Sequence, residues 1–373
     1  MSACLRFRHS PSMRVAAAVI RPGGRRAEQS RTSGGMRFLG RIAQDVLIEV
    51  IMLPVAELHL HIEGTLEPDL LVQLAKRNHV DLPSGLTARY RFGSLQEFLD
   101  RYYASMQVLR TEADFYDLAS AYLRRAARAG VRRAEIFFDP QSHTGAEVPL
   151  AAVIGGLTGA IADAAGTVDA DLIMCFLRDL GPDAAMETLQ AALRHRDAFI
   201  GVGLDSAEVG YPPELFAEVY QRAAAEGLRL VAHAGEEGPP EYVYQALDLL
   251  KAERIDHGVR SMEDPALIQR LRDERVPLTV CPLSNVALKV VETLDQHMLP
   301  AMLGAGLLVT VNSDDPAYFG GYVDDNFAAL RDELRLEDEA LATLARNSFE
   351  ASFAADADKK RWCAEVDEWL TNR

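Results

Sequence analysis

The chain has 373 residues, 49% hydrophobic and 25% charged, with a formal net charge of −16. A chain of this composition buries a large core, which excludes disorder as a description of the whole. Its length allows two domains, or one α/β barrel with insertions.

The charge is uneven from the start. Residues 1–45 hold nine arginines against two acids, Glu28 and Asp45, a net +7 that leaves −23 on residues 46–373. The basic stretch mixes Arg, Ser, Gly and Pro without periodicity and reads as a disordered arm. An organelle transit peptide, or a true start at Met36 or Met52, are the other readings. The expected division is therefore an extension over 1–51 and a single domain over 52–373. So acidic a body repels phosphate backbones, which argues against nucleic acid and for a small substrate. The longest apolar candidate, 46–56, is broken by Glu49 and Pro54, far short of the roughly 18 residues of a membrane span.

From residue 53 onward, short apolar or β-branched runs alternate with longer stretches of helical period. The predicted strands are 56–63, 133–139, 172–177, 200–206, 228–235, 254–258, 278–283 and 308–313. Helices are predicted at 95–109, 114–129, 184–195, 214–225, 241–251 and 265–273. Eight alternations point to a (β/α)8 TIM barrel, with extra helices after strand 1 that could cap its mouth. No G-x-G-x-x-G turn follows the first strand, which weighs against a doubly wound sheet.

Polar residues suited to chemistry collect at the C-terminal ends of these strands, where barrel enzymes work. His59 and His61 lie two apart on strand 1, so both rings face one side and can meet one ion. Strand 5 ends in His233-Ala234-Gly235-Glu236. His233 offers a third nitrogen, and a desolvated Glu236 can hold a proton near neutral pH. Strand 6 carries Asp256-His257-Gly258, where strand alternation should send the Asp and His side chains to opposite faces. Strand 8 ends in Ser313-Asp314-Asp315-Pro316; one carboxylate could complete a metal shell while the other reaches substrate. Core histidines, a helix N-terminal carboxylate and a polar turn are the bland readings of these features one by one. Their joint placement favours a metal-dependent hydrolytic site.

Together, His59-x-His61 with Glu63-Gly64-Thr65, His233-Ala234-Gly235-Glu236, His257-Gly258 and Ser313-Asp314-Asp315-Pro316 resemble the adenosine/adenine deaminase family of metal-dependent amidohydrolases. The resemblance spans residues 53–355. Phe137-Phe138-Asp139-Pro140-Gln141, Gly203-Leu204-Asp205-Ser206-x-Glu208-Val209-Gly210, Cys281-Pro282-Leu283-Ser284-Asn285 and the run Asp315 to Tyr322 look like the free-base adenine deaminases. It implies hydrolysis of adenine to hypoxanthine and ammonia, in purine salvage. It also implies a zinc ion, one per chain with another divalent ion as alternative, held by His59, His61, His233 and Asp314. Glu236 would protonate the ring, His257 would hydrogen-bond the attacking water, and Asp315 would orient the base.

Deamination of adenosine or an N6-substituted adenine, and a silent purine- or metal-binding barrel, are the rival functions. Four cysteines stand apart with no C-x-x-C spacing, which excludes a disulfide scaffold and fits a reducing, cytoplasmic setting. Cys281 reads as an inert buried thiol, His143 as a solvated loop residue, and His79, His195 and His297 as surface or helix residues. The sequence is silent on oligomeric state.

Overall fold

The computed structural model describes residues 52–82, 95–144 and 147–373. The arm predicted over 1–51 lies outside them. Eight parallel strands run in sequential order: β1 Val55–His61, β2 Val131–Phe138, β3 Asp169–Leu177, β4 Gly201–Asp205, β5 Arg229–Ala234, β6 Arg254–His257, β7 Pro277–Val280 and β8 Leu308–Val311. Helices alternate with them, as the sequence pattern requires of a (β/α)8 barrel. Among the described residues between β1 and β2 lie three α-helices: α1 Pro68–Arg77, α2 Leu95–Met106 and α3 Glu112–Arg128. Further helices at Val323–Asp332, Asp338–Ala351 and Asp356–Thr371 follow β8.

The predicted strands all exist, but several stop short of their expected ends. The seventh ends at Val280 because Pro282 opens a helix, Pro282–Ala287, and cannot donate to a ladder. The first ends at His61 because Glu63–Thr65 closes into a 3-10 turn.

β8 is too short to pair fully with β1, so the barrel closes by other means. Asp314 bridges to Leu60: its amide donates to the His59 carbonyl, and the His61 amide donates to its carbonyl, both at 3.1 Å. Further down, the Leu58 amide donates to Asn312 Oδ1 at 2.8 Å and the Ala56 amide to Ser348 Oγ at 2.8 Å. Each of these four amides has a partner, which a buried seam demands.

The barrel interior also holds a charged knot. Glu135 on β2 takes Arg254 of β6, Arg133 and the Phe353 amide, and Arg254 Nη2 donates to the Leu58 carbonyl at 3.1 Å. Glu135 and both arginines are buried. Removing one partner leaves uncompensated charge in a dry interior, at about 3–5 kcal/mol. Glu135→Leu should therefore lower the urea unfolding midpoint by that equivalent. Adding Arg254→Met should recover part of the loss; a double variant less stable than the single would contradict this account.

Candidate active site

β1 delivers His59 and His61 with both rings on one side, as their spacing predicts. The register of β1 against β2 shifts between Glu57 and Leu60, so Glu57 instead meets Tyr122 of α3, whose hydroxyl donates at 2.7 Å. His233 arrives from β5 and Asp314 from just beyond β8. His61 Nε2 and His233 Nε2 lie 3.2 Å apart, and Asp314 Oδ1 lies 3.5 Å from His59 Nε2 and 3.6 Å from His61 Nε2.

These atoms fit a cation. A tetrahedral shell with bonds of about 2.1 Å sets its ligand atoms about 3.4 Å apart. His59 Nε2 is buried without a hydrogen-bond partner, an orphan that a metal would satisfy. Burial holds the His61 imidazole neutral, with its pKa lowered to about 3, and lowers His233 likewise with help from His59. Burial alone would raise Asp314, but the imidazoles of His59, His257 and His61 outweigh it and hold the carboxyl well below its usual range. Neutral imidazoles and an ionised carboxylate are the forms that bind metal.

The outward ring nitrogens are also placed. His59 Nδ1 lies 2.9 Å from Thr279 Oγ1, whose hydroxyl donates to Asp256 Oδ1 at 2.9 Å. His233 Nδ1 faces Asp256 Oδ2 at 3.4 Å, His61 Nδ1 faces Asp205 Oδ2 at 3.4 Å, and Ser284 Oγ donates to Asp314 Oδ2 at 2.6 Å. Such outer partners fix ring orientation and raise ligand basicity. None of them was singled out as a site residue from the sequence.

Asp256 shows why. Strand alternation predicts that Asp256 and His257 diverge, yet both reach the site. His257 sits at φ 63°, in the left-handed region that a bulky residue rarely adopts, and this breaks the alternation. Asp314 does the same at φ 64°. Backbone strain thus falls on two of the predicted site residues.

Above this cluster, Glu236 Oε2 lies 3.5 Å from His257 Nε2, while its Oε1 is buried and unpartnered. Burial, then the charges of Asp314 and Glu208, push the Glu236 carboxyl well above its ordinary range. Burial lowers His257 far below 6.5, with His59 adding to the effect. Asp315 is buried, its Oδ1 without a partner; burial and Asp314 raise its pKa. Gly64 makes room for it, since a Cβ there would stand 2.0 Å from Asp315 Oδ1.

All seven predicted site residues except His59 line one cleft of about 440 Å³, and His59 lies directly beneath. α2 roofs it with Phe98, Leu99, Tyr102 and Tyr103. Tyr102 donates to Asp139 Oδ2 at 3.3 Å, and the hydroxyls of Tyr103 and Ser206 lie 3.2 Å apart. Asp139, with its pKa raised to about 8 by burial and Glu63, and Asp205, raised by burial and Asp139, form a second acidic pair on the wall.

Three bland readings change or hold. His143 is buried, not solvated, and meets Glu63 Oε1 at 2.9 Å. His297 is buried beside Asn285 Oδ1 at 3.1 Å, because its helix-flanking turn packs inward. Cys281 is indeed a buried thiol whose pKa burial raises.

The adenosine deaminase family model matches residues 54–369. An adenine deaminase of Streptomyces coelicolor is 60% identical over 325 residues, 85% of this chain and 96% of that protein. The crystal structure of an Arthrobacter aurescens adenine deaminase is 55% identical, with a TM-score of 0.84 over 85% of this chain and 99% of that one. An amidohydrolase from Burkholderia ambifaria with bound Zn is 27% identical, with a TM-score of 0.78 over 87% and 94%. No helix among the described residues is long and apolar enough to cross a membrane. With the match spanning nearly the whole barrel, the chain belongs to the adenosine deaminase family of metal-dependent amidohydrolases, on the branch represented by the adenine deaminases.

Proposed function

We propose that residues 52–373 form one catalytic domain that hydrolyses adenine to hypoxanthine and ammonia, supplying purine salvage. The observation that carries this reading is the meeting, in one cleft, of three imidazoles and a carboxylate with a separate carboxyl, Glu236, buried 3.5 Å from His257. His59, His61, His233 and Asp314 would hold one divalent ion, zinc in our reading. When bound, the ion supplies Lewis acidity that makes hydroxide available near neutral pH.

The chain's own residues do the rest. Glu236, protonated in its dry setting, donates to the ring nitrogen beside the amino-bearing carbon and makes that carbon electrophilic. Neutral His257, 3.5 Å from Glu236, orients the attacking water. Water adds to that carbon to form the C–O bond, and one of its protons restores the Glu236 carboxyl. The other passes from the new hydroxyl to the amino nitrogen, and the tetrahedral carbon then breaks its C–N bond, expelling ammonia and leaving the ring N–H and carbonyl of hypoxanthine. Asp315 accepts or donates at the imidazole half of the base and fixes its angle, so attack is directed at one carbon. Tyr102 and Tyr103 of α2 close the roof and limit water in the cleft.

We read the setting as reducing and cytoplasmic, in keeping with four cysteines that have no C-x-x-C spacing. The acidity of the body supports a small-molecule partner over nucleic acid.

Glu236→Gln should lower kcat by about 10²–10⁴ with metal content unchanged, since an amide has no proton to give. Ultraviolet turnover assays with metal analysis check this, and wild-type turnover in the variant rules out the proton-donor role. His59→Ala should lose bound metal together with activity; stoichiometric zinc in that variant contradicts the ligand set. Offered adenine, adenosine and N6-methyladenine in parallel, the enzyme should convert adenine with the highest kcat/KM. A preference for either of the others refutes the free-base reading. Deleting residues 1–51 should leave turnover intact; its loss would show that the domain does not begin at residue 52.

A further inference from the structure

Glu208 follows β4 by three residues and is buried. Its carboxylate collects four consecutive backbone amides from the loop after β5. Oε1 accepts from Gly235 at 2.7 Å; Oε2 accepts from Glu236 at 3.1 Å, Glu237 at 2.9 Å and Gly238 at 2.8 Å. A carboxylate has about four lone-pair sites, so the group is saturated. Successive amides turned toward one point make an anion nest, and here the anion is part of the chain.

The same loop is gripped from its other face. The Arg260 amide donates to the Gly235 carbonyl at 2.9 Å, and its guanidinium donates to the Glu237 carbonyl. Buried Arg178 donates to the carbonyls of His233 and Tyr211, both at 2.9 Å, and its charge faces Glu208. The peptide that carries Glu236 is therefore held on both sides. Its side chain is not: Oε1 has no hydrogen-bond partner among the described residues, and Oε2 only approaches His257. Where the Glu236 carboxyl points is thus set by its backbone, which Glu208 holds through four amides opposite Arg260 and Arg178.

We propose that Glu208 is a positioning residue for the deamination, acting on turnover by fixing the Glu236 carboxyl against the substrate's ring nitrogen. This rests on Glu236 being the proton donor. Proton transfer requires hydrogen-bond reach, and displacement of a catalytic group by about 1 Å costs about 10²-fold. A clamp needs a carboxylate. In Glu208→Gln one oxygen becomes an NH2 that can only donate, so at least one of the four amides loses its acceptor. A purely structural carboxylate would affect stability or metal content alone. A positioning carboxylate affects kcat, and only while Glu236 is present.

The test is a double-variant cycle on the metal-loaded full chain with adenine as substrate. Glu208→Gln should lower kcat about 10²-fold, with KM within about threefold of wild type, one metal per chain, and cooperative thermal unfolding. Combined with Glu236→Gln, it should be no slower than Glu236→Gln alone, because the group it positions is gone. Unchanged kcat in Glu208→Gln overturns the proposal, as does a loss that multiplies with that of Glu236→Gln or falls wholly on KM. If Glu236→Gln alone keeps wild-type turnover, the proton-donor reading fails instead, and the two failures are distinct. Should Glu208→Gln not fold, Gly238→Ala reaches the same clamp from its other side. A Cβ there stands 2.5 Å from Glu208 Oε1 and 2.5 Å from the Tyr242 ring. The same kcat loss and the same non-additivity with Glu236→Gln are then expected, and their absence overturns the proposal.

Discussion

Closure of the barrel between β8 and β1 is the constraint on which the rest depends. β8 ends at Val311, and the ladder is completed beyond it by the backbone of Asp314. That backbone pairs with the carbonyl of His59 and the amide of His61. The residue that seals the barrel is thus the one whose carboxylate meets the two imidazoles, at 3.5 and 3.6 Å. Seam and cage cannot move independently. A left-handed φ at Asp314 is the conformational cost of letting one residue serve both, and the two amide bonds offset it.

A second consequence is electrostatic. Closure removes water from a space that holds Asp139, Asp205, Glu236, Asp256, Asp314 and Asp315 together. So many carboxylates cannot all ionise in a dry cavity. Imidazoles hold Asp314 and Asp256 ionised, while burial and the neighbouring charges push Glu236, Asp315, Asp139 and Asp205 upward. Splitting like groups into charged and neutral sets is how one cleft can contain both a metal-binding anion and an acid. The division follows from the balance at each position between imidazole contact and burial beside other carboxylates, not from residue type.

What was legible in the sequence follows the same logic. The strand rhythm and the residues His59, His61, His233, Glu236, His257, Asp314 and Asp315 stand out because the barrel puts chemistry at strand ends, a property of order along the chain. Residues that act across elements do not stand out. Thr279 and Asp256 matter because β6 and β7 pair side by side, and Ser284 because Pro282 ends β7 and starts a helix under Asp314. Asp256 and His257 were expected on opposite faces; a single positive φ reversed that, and no local pattern announces it. His143 looked like a loop residue, but it is paid for by a buried carboxylate, Glu63, that sequence places eighty positions away.

The net charge itself takes on another meaning once burial is known. Among the described residues eleven acids are buried: Glu57, Glu63, Asp114, Glu135, Asp139, Asp205, Glu208, Glu236, Asp256, Asp314 and Asp315. Among the same residues only three arginines, Arg133, Arg178 and Arg254, are buried with them. A substantial part of the −23 on residues 46–373 therefore never faces solvent, and burial pushes the carboxyls of Glu236 and Asp315 upward. The remaining surface is still acidic, so repulsion of a phosphate backbone persists, though more weakly than composition suggests. Inside, the same excess of acids supplies the carboxylates we propose for a cation and for a proton, and a third, Glu208, that collects the amides of the loop after β5.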